Sequence, residues 1–254
     1  VSGVDVADRG ALSGRRIVVT RAADQAGDLA DRLNDHGAEV VLLPTIAVVD
    51  AEDGGAALHE ALAGLDEVDW LIVTSPNGAR RVAAALADRP RGRPVVAAVG
   101  SATAAALGRP ADLVPTDQIA EGLVEAFPVG SGVVLLAQAA EARPVLAEGL
   151  AAKGWTVRTV TAYRTVVGPD ALLDDPAWCA ARDAARTADA VVFTSGSTAR
   201  GWARLVDLPL PAVTVAIGPA TEAVARQESL KITHIAADHS LDGVVSALLT
   251  IFEH

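Results

Sequence analysis

One stretch of this chain occurs twice, and the repetition limits what the whole can fold into. Asp69-Trp-Leu-Ile-Val-Thr-Ser-Pro-Asn-Gly-Ala79 is echoed by Asp189-Ala-Val-Val-Phe-Thr-Ser-Gly-Ser-Thr-Ala199. Each copy is a short apolar run that stops at Thr-Ser and passes into a helical Ala/Arg pattern. A run of this length bounded by a turn signal predicts a strand buried on both faces, the usual state of a parallel sheet. Ser75 and Ser195 then stand where a side-chain oxygen caps the next helix, and Pro76 where a first-turn proline is tolerated. Both copies thus set hydroxyls and helix N–H groups at the carboxyl end of a strand, the edge where open α/β sheets bind ligands.

The rest of the chain alternates in the same way. Strands are predicted at 16–20, 39–43, 95–99, 113–115, 133–136, 156–162, 213–217 and 233–236, with helices between them. One helix is expected to run from Arg21 to His36 and to stop at Gly37; others are expected over 51–65 and 174–186. Residues 1–14 have no apolar period and read as a flexible leader. Pro44–Val49 and Tyr163–Val167 are extended, but the first follows its strand too closely to be another sheet member. Both read as connectors.

The repeat extends beyond the opening motif. Val95-Val-Ala-Ala-Val-Gly-Ser-Ala-Thr103 matches Val213-Thr-Val-Ala-Ile-Gly-Pro-Ala-Thr221, and the βαβ pattern of 17–43 matches that of 133–161. The order differs, because the βαβ unit comes first in one set and last in the other. This predicts an α/β protein of two flavodoxin-like domains with parallel five-stranded sheets, the second a permuted insertion. The first domain would comprise 15–44 with 168–254 and the second 50–162. Segments 45–49 and 163–167 would form a two-stranded β-ladder hinge, with the ligand site in the cleft between the domains.

Composition narrows the function. With 51% hydrophobic but only 3% aromatic residues, packing must rest on Ala, Val and Leu. A formal net charge of −11 argues against nucleic acid as a partner. No apolar run reaches the roughly 18 residues of a membrane span, which excludes a membrane partner and makes a cytoplasmic protein the default. Cys179 is alone, and the histidines at 36, 59, 234, 239 and 254 have no ligand spacing, so no metal is expected.

The ordered series Val-Val-Thr-Arg21, Gly-Ala-Glu-Val-Val-Leu-Leu-Pro44, Val-Thr-Ser-Pro-Asn77, Val-Gly-Ser-Ala-Thr103, Tyr-Arg-Thr165, Phe-Thr-Ser195 and Ile-Gly-Pro-Ala-Thr221 resembles the uroporphyrinogen-III synthase family of tetrapyrrole biosynthesis. The resemblance runs from about Arg16 to the end. It implies a lyase-type cyclase that needs no cofactor and acts on hydroxymethylbilane. That linear tetrapyrrole loses water and closes through a spiro intermediate with ring D inverted. Spontaneous closure gives the type I isomer instead, so orientation is the main task.

By the same resemblance Tyr163 is the catalytic candidate, donating a hydrogen bond to the departing hydroxyl. Substrate carboxylates would be held by Arg21, Ser75, Asn77, Gly100, Ser101, Thr103, Gln138, Ser195, Ser197, Thr198, Gly218 and Thr221. Gln138 stands in a turn, Ala137-Gln138-Ala139-Ala140, where many relatives carry a basic or glycine-containing sequence. The residues also bear plainer readings. Ser75 and Ser195 could be helix caps, Gly100 and Gly218 turn glycines, Arg21 a surface ion pair and Tyr163 hinge packing. The Ala137–Ala140 turn suits a second hypothesis, a non-catalytic tetrapyrrole or polyanion-binding paralogue of the same fold. No oligomerisation signal is evident, and a monomer is the default.

Overall fold

A computed structural model of the protein describes residues 10–87, 89, 93–168, 175–205 and 208–253. In chain order its elements are β1 (Arg16–Val19), α1 (Gly27–Asp35), β2 (Glu39–Leu42), β3 (Ile46–Val49), α2 (Ala56–Ala63), β4 (Trp70–Val73), α3 (Pro76–Ala87), β5 (Val95–Ala98), α4 (Ser101–Ala106), α5 (Ala120–Ala126), β6 (Val133–Ala139), α6 (Val145–Ala152), β7 (Thr156–Val167), α7 (Pro176–Ala185), β8 (Ala190–Phe193), α8 (Gly196–Leu205), β9 (Val213–Ala216), α9 (Pro219–Gln227), β10 (His234–Ile235) and α10 (Leu241–Phe252). They form two compact units, one comprising residues up to Ala47 with those from Val166 onward, the other Val48–Thr165.

The first unit holds a five-stranded sheet in the order β10-β9-β8-β1-β2, every pair parallel. All four residues of β8 are buried, as a central parallel strand requires. Side chains alternate between its faces. Ile17, Val19 and Val192 join Leu29 and Leu33 of α1 and Val244 and Leu248 of α10, while Val18, Val191 and Phe193 join Trp178 of α7 and Trp202 of α8. Helices cover both faces, so an apolar run without polar interruption is what each central strand needs.

The second unit repeats the scheme, with its sheet in the order β3-β7-β6-β4-β5. Leu71, Val73, Val96 and Leu135 face Leu58 of α2 and Val82 and Leu86 of α3; Ile72, Ala97, Val134 and Leu136 face Leu123 of α5 and Leu146 and Leu150 of α6. Trp70, Phe127 and Trp155 pack together in this second layer, Phe127 tilted against Trp70 with centroids 4.5 Å apart and edge-on to Trp155. The spatial run β7-β6-β4-β5 matches β2-β1-β8-β9 of the first sheet. Leu113 makes only an isolated parallel bridge with Ala97, at the place β10 takes beside β9.

The two copies of the opening motif are set by the same bond. Asp189 Oδ2 accepts the N–H of Arg16 at 2.8 Å, and Asp69 Oδ2 accepts that of Val133 at 2.9 Å. Each carboxylate therefore aligns the start of its own strand with the neighbour's. The βαβ turns also agree. At the end of α1 the N–H of Gly37 donates to Asn34 and that of Ala38 to Leu33; at the end of α6 Gly154 donates to Ala151 and Trp155 to Leu150. Both glycines have positive φ, +85° and +98°, which closes the helix without a Cβ penalty.

Several sequence-based expectations need correction. Ile46–Val49, read as a connector outside both sheets, is the edge strand of the second sheet, hydrogen-bonded to β7. Tyr163–Val167 continues β7 without a break, giving one strand of 12 residues. Leu113–Pro115 does not form a strand; its place at the sheet edge is reduced to the one bridge. The helix expected from Arg21 starts only at Gly27, because Ala22 is extended (φ −53°, ψ 142°) and a 3-10 turn, Ala23–Gln25, intervenes. The one expected from Ala51 starts at Ala56, because Gly54 and Gly55 take positive φ and Asp53 accepts the N–H groups of Ala57 and Gly55, which holds its carboxyl below the usual range. Asp174, where a third helix was expected to begin, lies outside the described residues; α7 is capped by Asp175.

Of the leader expected over 1–14, residues 1–9 also lie outside the described set. Residues 10–14 are not loose. Leu12 is 0% exposed within the first unit's core, and its N–H donates to His36 O at 3.0 Å. Leu12→Ala is expected to lower stability by about 2–5 kcal/mol, read as a fall in the urea midpoint; a loose leader would leave the midpoint where it is.

Candidate functional site

In each unit the parallel register brings the carboxyl ends of adjacent strands into line. In the first unit Val19 lies opposite Val192 and Phe193 opposite Ala216, so the turns carrying Arg21, Ser195 and Gly218 share one edge. In the second, Val73 lies opposite Ala98 and Ala137, which aligns Ser75 and Asn77 with Gly100 and Ser101 on one side and Gln138 on the other. The pairing of β6 with β7 shifts between Gln138 and Ala139, setting Ala139 opposite Tyr163. An irregularity there re-aims side chains at the sheet's rim.

On the first unit's edge, Thr20 is fully buried and donates to Val192 O at 2.7 Å, which locks the turn before Arg21. Arg21 is half-buried and its Nε donates to Gln25 O at 3.0 Å. Ser195 Oγ accepts the N–H of Thr198 at 3.2 Å, while Thr198 Oγ1 accepts the N–H of Ser195 at 3.3 Å and donates to its carbonyl at 2.7 Å. This reciprocal box caps α8 and uses the Thr198 side chain fully. Ser197 is half-buried, and Thr198 and Thr221 are as buried as the core. Gly218 is buried, and a Cβ placed on it would come within 3.2 Å of the His239 ring.

On the second unit's edge, Ser75 Oγ accepts the N–H of Gly78 at 3.2 Å and caps α3. Asn77 Oδ1 accepts from Arg80 Nη1 at 3.0 Å. Ser101 is exposed, yet its N–H and its Oγ both donate to Gln118 Oε1, at 2.8 and 3.0 Å. Gly100 lies under the same Gln118 side chain, and Thr103 is buried. Gln138, expected in a turn after a strand ending at Leu136, is instead half-buried within β6, which runs on to Ala139 and pairs Gln138 with Thr161. Tyr163 is 7% exposed, its ring set in the apolar cluster with Leu58 and Val82; its backbone carbonyl accepts the N–H of Ala140 at 2.9 Å. Among the described residues no hydrogen bond engages the Tyr163 hydroxyl.

The structure also brings in residues that the sequence reading did not single out. Gln118 closes the start of α4, and His239 lies on the corresponding glycine before α9. Asp117-Gln118 with Gly122 and Asp238-His239 with Gly243 have the same spacing, so the internal repeat extends into these loops and is visible in the sequence. Arg81 lies over the Tyr163 ring, with Cζ 5.5 Å from its centroid. Arg143, by contrast, is held on the surface by Glu121 at 2.7 and 3.1 Å; this pairing draws the Glu121 carboxyl below and the Arg143 guanidinium above their ordinary values. Among the described residues no cluster of His, Cys, Asp and Glu could hold a metal ion, and no helix is long and apolar enough to cross a membrane.

Comparison with known proteins agrees on one family. A family model described as uroporphyrinogen-III synthase HemD matches residues 27–246. The uroporphyrinogen-III synthase of Synechococcus elongatus is 31% identical over 256 residues, covering 93% of this chain and 95% of that protein. Among solved structures, a mutant uroporphyrinogen III synthase from Thermus thermophilus superposes with a TM-score of 0.61 at 19% identity, over 94% of this chain and 98% of that one. The uroporphyrinogen-III synthetase of Helicobacter pylori gives 0.60 at 16% identity, over 93% and 99%. At such identities these two structures bear on the fold.

The capping roles of the two serines carry their own test. Ser195→Ala and Ser75→Ala each remove one acceptor from a helix start and are expected to cost about 1 kcal/mol, measured by urea unfolding. Equal midpoints for wild type and both variants would mean that neither oxygen caps its helix.

Proposed function

The chain belongs to the uroporphyrinogen-III synthase family, and we propose that it cyclises hydroxymethylbilane to uroporphyrinogen III, with loss of water and inversion of ring D. What carries the reading is the identity of nearly one residue in three with the Synechococcus elongatus synthase across almost the whole of both chains. The chain is thus homologous to a hydro-lyase. We read its architecture in the same terms, as two flavodoxin-like units of which the second is a permuted insertion, with the two chain crossings at 45–49 and 163–167 as a hinge ladder. The matching spatial runs of the two sheets support this. We take it to act as a cytoplasmic monomer without a cofactor.

The chemistry asks for a proton donor near a departing hydroxyl and for many anion-binding groups. Tyr163 is our candidate donor. Tyr163 stands at the end of the β6–β7 pairing, and among the described residues no hydrogen bond engages its hydroxyl, which leaves that bond to a ligand. As the hydroxyl leaves with that proton, the electrons of its ring nitrogen form an azafulvene cation. Ring D attacks this cation through its substituted α-carbon, and the spiro intermediate then fragments and recloses inverted. Substrate carboxylates would be held by Ser75, Asn77, Gly100, Ser101, Thr103 and Gln138 in one unit and by Arg21, Ser195, Ser197, Gly218 and Thr221 in the other, with Thr198, its hydroxyl taken up by Ser195, holding the turn. Helix N-termini favour anions at both edges, which matters in a chain of net charge −11. Fixed geometry is what selects the type III isomer, since free closure is faster at the unsubstituted carbon.

Freshly generated hydroxymethylbilane, followed by chromatography of the oxidised uroporphyrins, tests the reading directly. Type III above the no-protein control is expected; type I alone at the spontaneous rate would leave a non-catalytic tetrapyrrole-binding paralogue as the better description. Tyr163→Phe should lower kcat by on the order of a hundredfold. Its stability should change by less than about 1 kcal/mol, because no protein hydrogen bond is lost. An unchanged kcat would remove the phenol from the reaction.

A further inference from the structure

Arg81 occupies a position that packing alone does not explain. Its Nε donates to Asp50 Oδ1 at 3.2 Å, just beyond the end of β3, and its Nη1 donates to Asn77 O at 3.3 Å, in the first turn of α3. With both ends of the guanidinium held, its Cζ stands 5.5 Å from the centroid of the Tyr163 ring, within the roughly 6 Å reach of a cation–π contact. The side chain is 24% exposed, and Tyr163 is nearly buried. A planar fork can bridge a carboxylate and a carbonyl while presenting a face to an aromatic ring; a lysine ammonium cannot do both. One group therefore links the edge strand, the capped start of α3 and the only tyrosine in the chain.

The phenol itself lacks such fixing. No hydrogen bond from the described residues holds its hydroxyl, and the ring shares its cluster with aliphatic side chains such as Leu58 and Val82, whose contacts are non-directional. The guanidinium supplies the directional contact, because the ring's negative face attracts the cation over one range of angles. We propose that Arg81, anchored by Asp50 and by the Asn77 carbonyl, is a positioning residue that sets the orientation of Tyr163 for catalysis. This rests on the reading of Tyr163 as the donor in the proposed reaction. Arg81 acts through the tyrosine and contacts no reacting atom.

The full-length chain carrying Arg81→Gln, Asp50→Asn or Tyr163→Phe is assayed on hydroxymethylbilane. In parallel, the single tyrosine is labelled with carbon-13 and its ring signals are recorded by NMR. Arg81→Gln is expected to lower kcat by about tenfold, with KM within about twofold of wild type. The tyrosine ring signals should shift and their flip rate should rise. Asp50→Asn, which releases one anchor, should move kcat and the ring signals in the same direction by a smaller factor. Wild-type kcat in Arg81→Gln, in a protein that Tyr163→Phe disables, would overturn the proposal; so would a fallen kcat with unmoved tyrosine signals. Wild-type kcat in Tyr163→Phe would instead overturn the reading of Tyr163, and the ring signals would still report whether Arg81 orients it.

Discussion

Two aspartates at strand starts hold the registers on which everything else depends. Asp189 and Asp69 each accept the first N–H of the neighbouring strand, β1 in one sheet and β6 in the other. A parallel sheet buried on both faces has little to specify its register through side-chain alternation, because both faces are apolar. A carboxylate that receives a neighbour's N–H supplies the missing reference, and a charge-assisted bond is stronger than the neutral ladder bonds beside it. With the starts aligned, four-residue strands end level. Thr-Ser and Gly-x-x-Thr then fall along one rim in each unit, joined in the second by the turn after β6.

The same alignment lets the internal symmetry break locally. Both sheets carry a strand, a glycine and a short helix in succession, yet the two loops that return over those glycines set different side chains on them, Gln118 in one and His239 in the other. Gln118 places a neutral carbonyl oxygen on the N–H and hydroxyl of Ser101. His239 at the matching position lies over Gly218, before a helix that opens with Pro219 and so has one N–H fewer to satisfy. A carbonyl satisfies donors; an imidazole ring covers the glycine. The two edges are therefore chemically unequal, although their backbones follow one plan.

Tyr163 lies where the core of the second unit meets the end of its sheet. The tyrosine belongs to a core cluster, and its backbone stands opposite Ala139, where the pairing of β6 with β7 shifts. Arg81 reaches the ring from α3, whose first residue follows the Thr-Ser turn of the opening motif. The repeated motif thus serves the sheet through its strand and the helix through Ser75. The helix that follows its first copy reaches the tyrosine through Arg81, one helical turn beyond Asn77.

Strand and helix alternation, the doubled motif, both serine caps and the glycine stops at Gly37 and Gly154 were legible in the residues alone. These are local matters, since periodicity, capping chemistry and positive φ act within a few residues. The two-sheet α/β architecture and the family were legible too, because an ordered series of short motifs survives even where each is weak. Packing, in contrast, settled that Ile46–Val49 pairs with β7, that Leu113 gives only a bridge, and that Leu12 is core. An edge strand exists only if a partner's unpaired backbone is waiting for it, and burial depends on what folds over a residue. Likewise Gln118 on Ser101, His239 on Gly218 and Arg81 on Tyr163 join residues between 17 and 82 positions apart. No local pattern encodes such contacts; they arise when parallel strands of fixed register bring their ends together.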